Sequence, residues 1–140
     1  MFETLRTAIV NKITTVTTIT EVYAHESASP QSFPYATVAV IGNTSEYADT
    51  ANDLRKYRFR IRLYMKIGDQ APLSADDAEL SMTRAMQNVL DAFDTDYTLA
   101  GACQGVEAVE SNLGWTDTAN GRCRVGEIIL SCQKLVQVIS

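Results

Sequence analysis

Lys56-Tyr57-Arg58-Phe59-Arg60-Ile61-Arg62-Leu63-Tyr64-Met65-Lys66-Ile67 is the stretch on which the reading of the fold turns. Its odd positions are apolar or aromatic, and its even positions are basic except for Tyr64. Successive side chains on a strand point to opposite faces, so this period of two predicts a strand with one greasy and one basic face. At roughly 3.3 Å per residue the strand would run about 40 Å, far beyond the usual five or six residues. It is expected to reach past the body of the domain as an arm.

Upstream of this strand, Gly42 to Asp53 is polar and turn-prone and reads as a long hairpin loop. Tyr35 to Ile41, apolar on both faces, reads as a central or doubly covered strand. His25 to Pro34 carries Pro30 and Pro34, neither of which can donate to a ladder, and reads as a loop. A strand is predicted near Ile19 to Ala24. Phe2, Leu5, Ile9, Ile13 and Val16 recur at spacings of three and four and predict a helix over residues 2 to 13. It gives way to the β-branched run Thr14 to Thr20.

Downstream, Gly68 to Leu73 breaks the strand with help from Pro72, and Ser74 is placed to cap a second helix. Asp76, Asp77 and Glu79 would complement the dipole of its first turns, a better account of them than paired-carboxylate catalysis. Ala78, Met82, Ala85, Met86, Val89, Leu90 and Phe93 form its buried stripe, and it should end near Asp94. Thr95 to Gly105 reads as a connector, Val106 to Asn112 as a strand, and Leu113 to Gly121 as a turn or hairpin loop. Trp115 in that loop either anchors it on the core or stands exposed as a contact, the anchor being favoured. Arg122 to Val138 reads as one long or two consecutive strands. The order helix, three strands, helix, two strands predicts one α+β domain over residues 1 to 140, a mostly antiparallel sheet with two helices packed on one face.

The composition sets 12 Lys+Arg against 17 Asp+Glu, a formal net charge of -5. Half of the basic residues fall between Arg55 and Lys66, a window without one acidic residue, so the remainder is strongly acidic. That balance argues against a protein that coats nucleic acid or membrane over its whole surface. No run of about 18 apolar residues predicts a membrane span, and Met1 to Arg6 does not open like a secretory leader, which points to a cytoplasmic compartment. Cys103, Cys123 and Cys132 are odd in number and lack C-x-x-C spacing, so reduced thiols are expected rather than disulfides or zinc. If Cys123 and Cys132 share a strand, their odd separation places them on opposite faces.

Motifs that would carry chemistry do not emerge. His25 is the one histidine and reads as a surface side chain; no G-x-S-x-G elbow, P-loop or G-x-G-x-x-G is present. Asp94-Thr95-Asp96 opens like a calcium loop but lacks its glycine and closing glutamate. The expectation is a protein that is not an enzyme and holds no cofactor or metal.

Two uses suit the basic stripe of Arg58, Arg60 and Arg62. Their spacing of about 7 Å is close to that of phosphates along one nucleic-acid strand, which suits a β-sheet nucleic-acid-binding module built on residues 55 to 66. Alternatively the stripe faces acidic residues of a neighbouring copy and sets the register of a ring.

Four segments together carry a resemblance: Phe2-Glu3-Thr4-Leu5-Arg6-Thr7-Ala8-Ile9-Val10, Phe33-Pro34-Tyr35-Ala36-Thr37-Val38, Arg55-Lys56-Tyr57-Arg58-Phe59-Arg60-Ile61, and the Ala78 to Phe93 helix. In these, and in element order over nearly the whole chain, the sequence resembles the tail terminator, or tail completion, proteins of long-tailed bacteriophages. The resemblance implies a small α+β virion subunit, assembled in the host cytoplasm as a homohexameric ring at the head-proximal end of the tail tube. There it would stop tube growth and offer the surface for head-tail joining. It implies as partners other copies of itself, the tail tube protein and the head-tail connector protein, with DNA passing through the ring, and no membrane, cofactor or catalytic residue. Under it, Arg58, Arg60, Arg62 and Lys66 join subunits or line the channel. The junction is preferred, because fixed arginines would retard a passing polyanion. Asn43, Glu46, Tyr47, Asp49 and Trp115 become loop contacts to tube or connector.

Overall fold

Leu5, Ile9 and Ile13 fall on one side of a helix, and burying them against the sheet fixes α1, Phe2–Thr14, with Glu3 in its first turn and Lys12 in its last. The helix ends where the β-branched run begins: Thr14 Oγ1 donates to the carbonyl of Val10 and Thr15 Oγ1 to that of Lys12. The computed structural model describes residues 1–16, 18–24, 34–47, 52–66, 75–118 and 121–137. Its further elements are β1 (Glu21–Tyr23), β2 (Tyr35–Tyr47), β3 (Asn52–Lys66), α2 (Ala75–Thr95), β4 (Gly105–Thr118) and β5 (Gly121–Gln137).

The strands form one five-stranded sheet in the order β1-β2-β3-β5-β4. The β2/β3, β3/β5 and β5/β4 pairings are antiparallel, and the short β1 runs parallel to β2, so the sheet is mixed. The α+β class and the element order agree with the expectation from sequence. The helix packing is corrected: the pair does not share one stretch of sheet. α1 packs against β1, β2 and α2, whereas α2 lies over β3 and β5. The reason is lateral room: α2 takes the middle of the sheet over β3 and β5, leaving α1 the end at β1 and β2, from which Phe2 still reaches Tyr57 and Phe59 of β3.

Much of two loops expected from sequence is strand. β2 continues through Tyr47, after a register shift between Val40 and Gly42, and pairs as far as Tyr47↔Asp53. β4 runs unbroken past Trp115 to Thr118, paired to Gly121 of β5. In both places the ladder to β3 or β5 fixes the backbone of a polar segment as strand. The predicted breaks at His25 to Phe33 and Gly68 to Leu73, and the capping Ser74, lie outside the described residues.

Phe59, Ile61, Leu63, Ile128 and Leu130 are fully or almost fully buried and form one core with Leu5, Ile9, Met82 and Val89. Gly126 lets α2 approach, because a Cβ there would stand 2.6 Å from Sδ of Met86 and 3.0 Å from Sδ of Met82. Cys132 belongs to this core, and Cys123 lies on the other side of β5 in a second cluster with Tyr35 and Tyr64, as their odd separation requires. The Tyr35 and Tyr64 rings stack at 4.6 Å, and Tyr23 meets Tyr35 edge-on at 5.7 Å.

Candidate functional site

The sheet face away from the helices is where the even positions of β3 emerge. Across the ladder, Arg58 stands between Gly42 and Ser131, Arg60 between Ala39 and Ile129, and Arg62 between Thr37 and Glu127. Thr37, Ile129 and Ser131 are buried on this face, on which no helix lies among the described residues. The structure therefore brings Arg58, Arg60 and Arg62 together on an open surface, with Lys66 further along the same strand opposite Cys123.

Sequence reading did not find the one carboxylate among them. Glu127 Oε2 lies 3.0 Å from Nε of Arg62, a hydrogen-bonded ion pair, and 3.7 Å from Nε of Arg60. Register alone creates this pair, since Glu127 is 65 residues from Arg62 in the chain. Among the described residues Arg58 has no ion pair, so the stripe remains positive. With the three side chains 27% to 38% exposed, the pairing is a surface one worth about 0 to 1 kcal/mol and orients more than it stabilises.

Beside the stripe, Gly114 leaves a shallow cleft of about 290 Å³ lined by Arg62, Tyr64, Asn112, Val125 and Glu127. The exposed side chains of Glu107 and Glu110 stand on the same face of the outer strand β4. Their positions oppose Ser131 and Ile129, the β5 residues that also oppose Arg58 and Arg60.

The loop-contact candidates are not brought together. Asn43 is exposed on β2, Glu46 and Tyr47 pair through their backbones with Leu54 and Asp53, and Asp49 lies outside the described residues. Trp115, 42% exposed, sits two strands away on β4 and is neither a loop residue nor buried as an anchor. The Arg124 guanidinium lies 4.7 Å from its ring centroid and that of Arg122 5.4 Å. Arg124 is itself held by Glu79 of α2, at 2.8 and 3.0 Å, and donates to the carbonyl of Gly114 at 3.0 Å.

The three cysteines form no disulfide. Cys103 and Cys132 are hydrogen-bonded neighbours; that bond holds the Cys103 thiol down to about 7 against the opposing effect of burial, and pushes Cys132 up. Among the described residues no group of His, Cys, Asp and Glu is arranged to hold a metal ion, and no helix is long and apolar enough to cross a membrane. His25 lies outside the described residues.

No protein-family model matches the chain, and no curated protein is similar to it.

Proposed function

We propose that this chain is a structural subunit of a bacteriophage tail. On this reading it assembles as a homohexameric ring that caps the tail tube, ends its elongation and presents the surface for head-tail joining. The observation that carries the reading is the open sheet face. A long β3 displays Arg58, Arg60 and Arg62 with no helix over them among the described residues, on a chain that is otherwise acidic. Such a face suits recognition of a fixed partner in a fixed register. The element order and the segments that resemble tail terminators supply the kind of partner: further copies of the chain, the tube protein and the connector protein.

The nucleic-acid reading draws on the same arginines and on Arg58 above all, which has no ion pair among the described residues. Two observations weigh against it. Glu127 stands inside the stripe, and Tyr64, the one aromatic residue of β3 on that face, is 7% exposed and stacked on Tyr35, so it offers no free platform for a base.

The test is sedimentation of the purified protein together with electron microscopy of polymerised tail tubes. Rings in solution or at one tube end support the proposal. A strict monomer that leaves tubes uncapped contradicts it, and steep salt-dependent binding to generic DNA, abolished by Arg60→Ala with Arg62→Ala, would favour the nucleic-acid reading.

A further inference from the structure

β4 forms an edge of the described sheet and pairs on one side, with β5. A regular strand would point Glu107 and Glu110 to opposite faces, because three residues separate them. The register shift between Ala108 and Glu110 inserts one extra residue, so that Glu107 opposes Ser131 and Glu110 opposes Ile129. The bulge thus turns both carboxylates onto the open face. On the far side of β5 the same two residues oppose Arg58 and Arg60. One face therefore carries an acidic pair and a basic pair on the same two rungs, each pair about 7 Å apart along the strands and separated by two strand spacings of about 4.8 Å.

Within the chain these pairs do not meet. Among the described residues no ion pair joins Glu107 or Glu110 to an arginine; Glu110 accepts a hydrogen bond from Asn112 at 3.0 Å, and Arg60 leans toward Glu127 at 3.7 Å. The two stripes are opposite in sign, match in spacing and rung, and both lie on the same sheet face.

We infer that the acidic edge of one copy, Glu107 and Glu110 on β4, seats on the basic stripe of the next, Arg58 and Arg60 on β3. This deepens the ring reading and rests on it. The contact is heterologous: each copy uses its edge for one neighbour and its stripe for the other, so a chain of such contacts closes into a ring when the rotation allows. The bulge at Val109 also interrupts the regular β4–β5 ladder and kinks the edge strand.

Charge reversal with complementation tests the contact. Glu107→Lys with Glu110→Lys leaves a copy basic on both surfaces, and Arg58→Glu with Arg60→Glu leaves one acidic on both. Each variant alone should assemble about tenfold more weakly or worse, read as a shift to monomer mass in sedimentation and native mass measurement. An equimolar mixture should regain the wild-type ring mass, because the two variants alternate around an even-membered ring. If Arg60→Glu lowers the melting temperature, the single-rung pair Glu107→Lys and Arg58→Glu repeats the test with residues that lose no ion pair. Variants that assemble like wild type, or a mixture that stays monomeric while wild type forms rings, would overturn this contact and leave the ring reading standing. Wild type and mixture both stopping at a two-copy particle would support the contact and overturn the ring.

Discussion

Arg124 links more of the molecule than any other side chain on the rim of the sheet. Its guanidinium covers Trp115, pairs with Glu79 of α2 and bonds the carbonyl of Gly114, and its side chain is 10% exposed. Arg124→Leu should cost about 1 to 3 kcal/mol in chemical denaturation, since two charge-assisted bonds and the ring contact are lost together. Trp115 is the one tryptophan, so its emission should shift to the red in the variant and report loss of the cover directly. Asp96 is a second informative residue. Its carboxyl accepts the N-H of Ala100 and pairs with Lys12 at 3.1 Å, and these hold it below the usual carboxylate range. A lowered folded-state value means that the stabilisation is present above about pH 3.9, the ordinary aspartate value, and is lost as pH falls through the lower folded one. Thermal melts of Asp96→Asn should therefore fall less steeply than those of wild type on acidification below that pH. The turn it caps holds Leu99 and Ala100 at φ 51° and 57°, left-handed conformations that cost non-glycine residues about 1 to 2 kcal/mol, so loss of the cap should show there first.

At the scale of elements, the seat of α2 on β5 depends on Gly126. Gly126→Val should destabilise by about 1 to 3 kcal/mol, read as a lower urea midpoint, because the added carbons meet Met86 and Met82 and α2 must shift. The strand that opened the sequence reading was legible because its period of two is long and its two faces differ so strongly. Helix α2 was legible for the same reason at a period of 3.6. Gly42 to Asp53 and Leu113 to Gly121 read as loops because they are polar, whereas residues 42–47 and 113–118 are strand held by pairing to β3 and β5. Local composition does not report a partner that lies elsewhere in the chain. The same limit hid Glu127, the hydrogen bond between Cys103 and Cys132, and the turning of Glu107 and Glu110 onto one face. Each depends on register, and a bulge of one residue reverses what alternation alone would say. The basic stripe itself was visible from the first; its acidic counterpart was not.

For the whole molecule, the net charge of -5 averages an acidic body and one basic stripe along β3. If that stripe joins copies of the chain, assembly should weaken as salt rises from about 0.05 to 0.5 M, because the charges that meet are exposed before they meet and the screening length falls from about 14 Å to 4 Å. The core takes in both helices and the greasy side of β3, so that among the described residues no helix lies on the other side, where a cleft opens beside Gly114. The most direct measurement of the central claim is electron microscopy of tail tubes polymerised with and without the purified protein, with tube length scored alongside. The account predicts a ring at one end of each tube and tubes that stop growing once capped. Tubes that bear no ring and elongate equally with the protein present would contradict it.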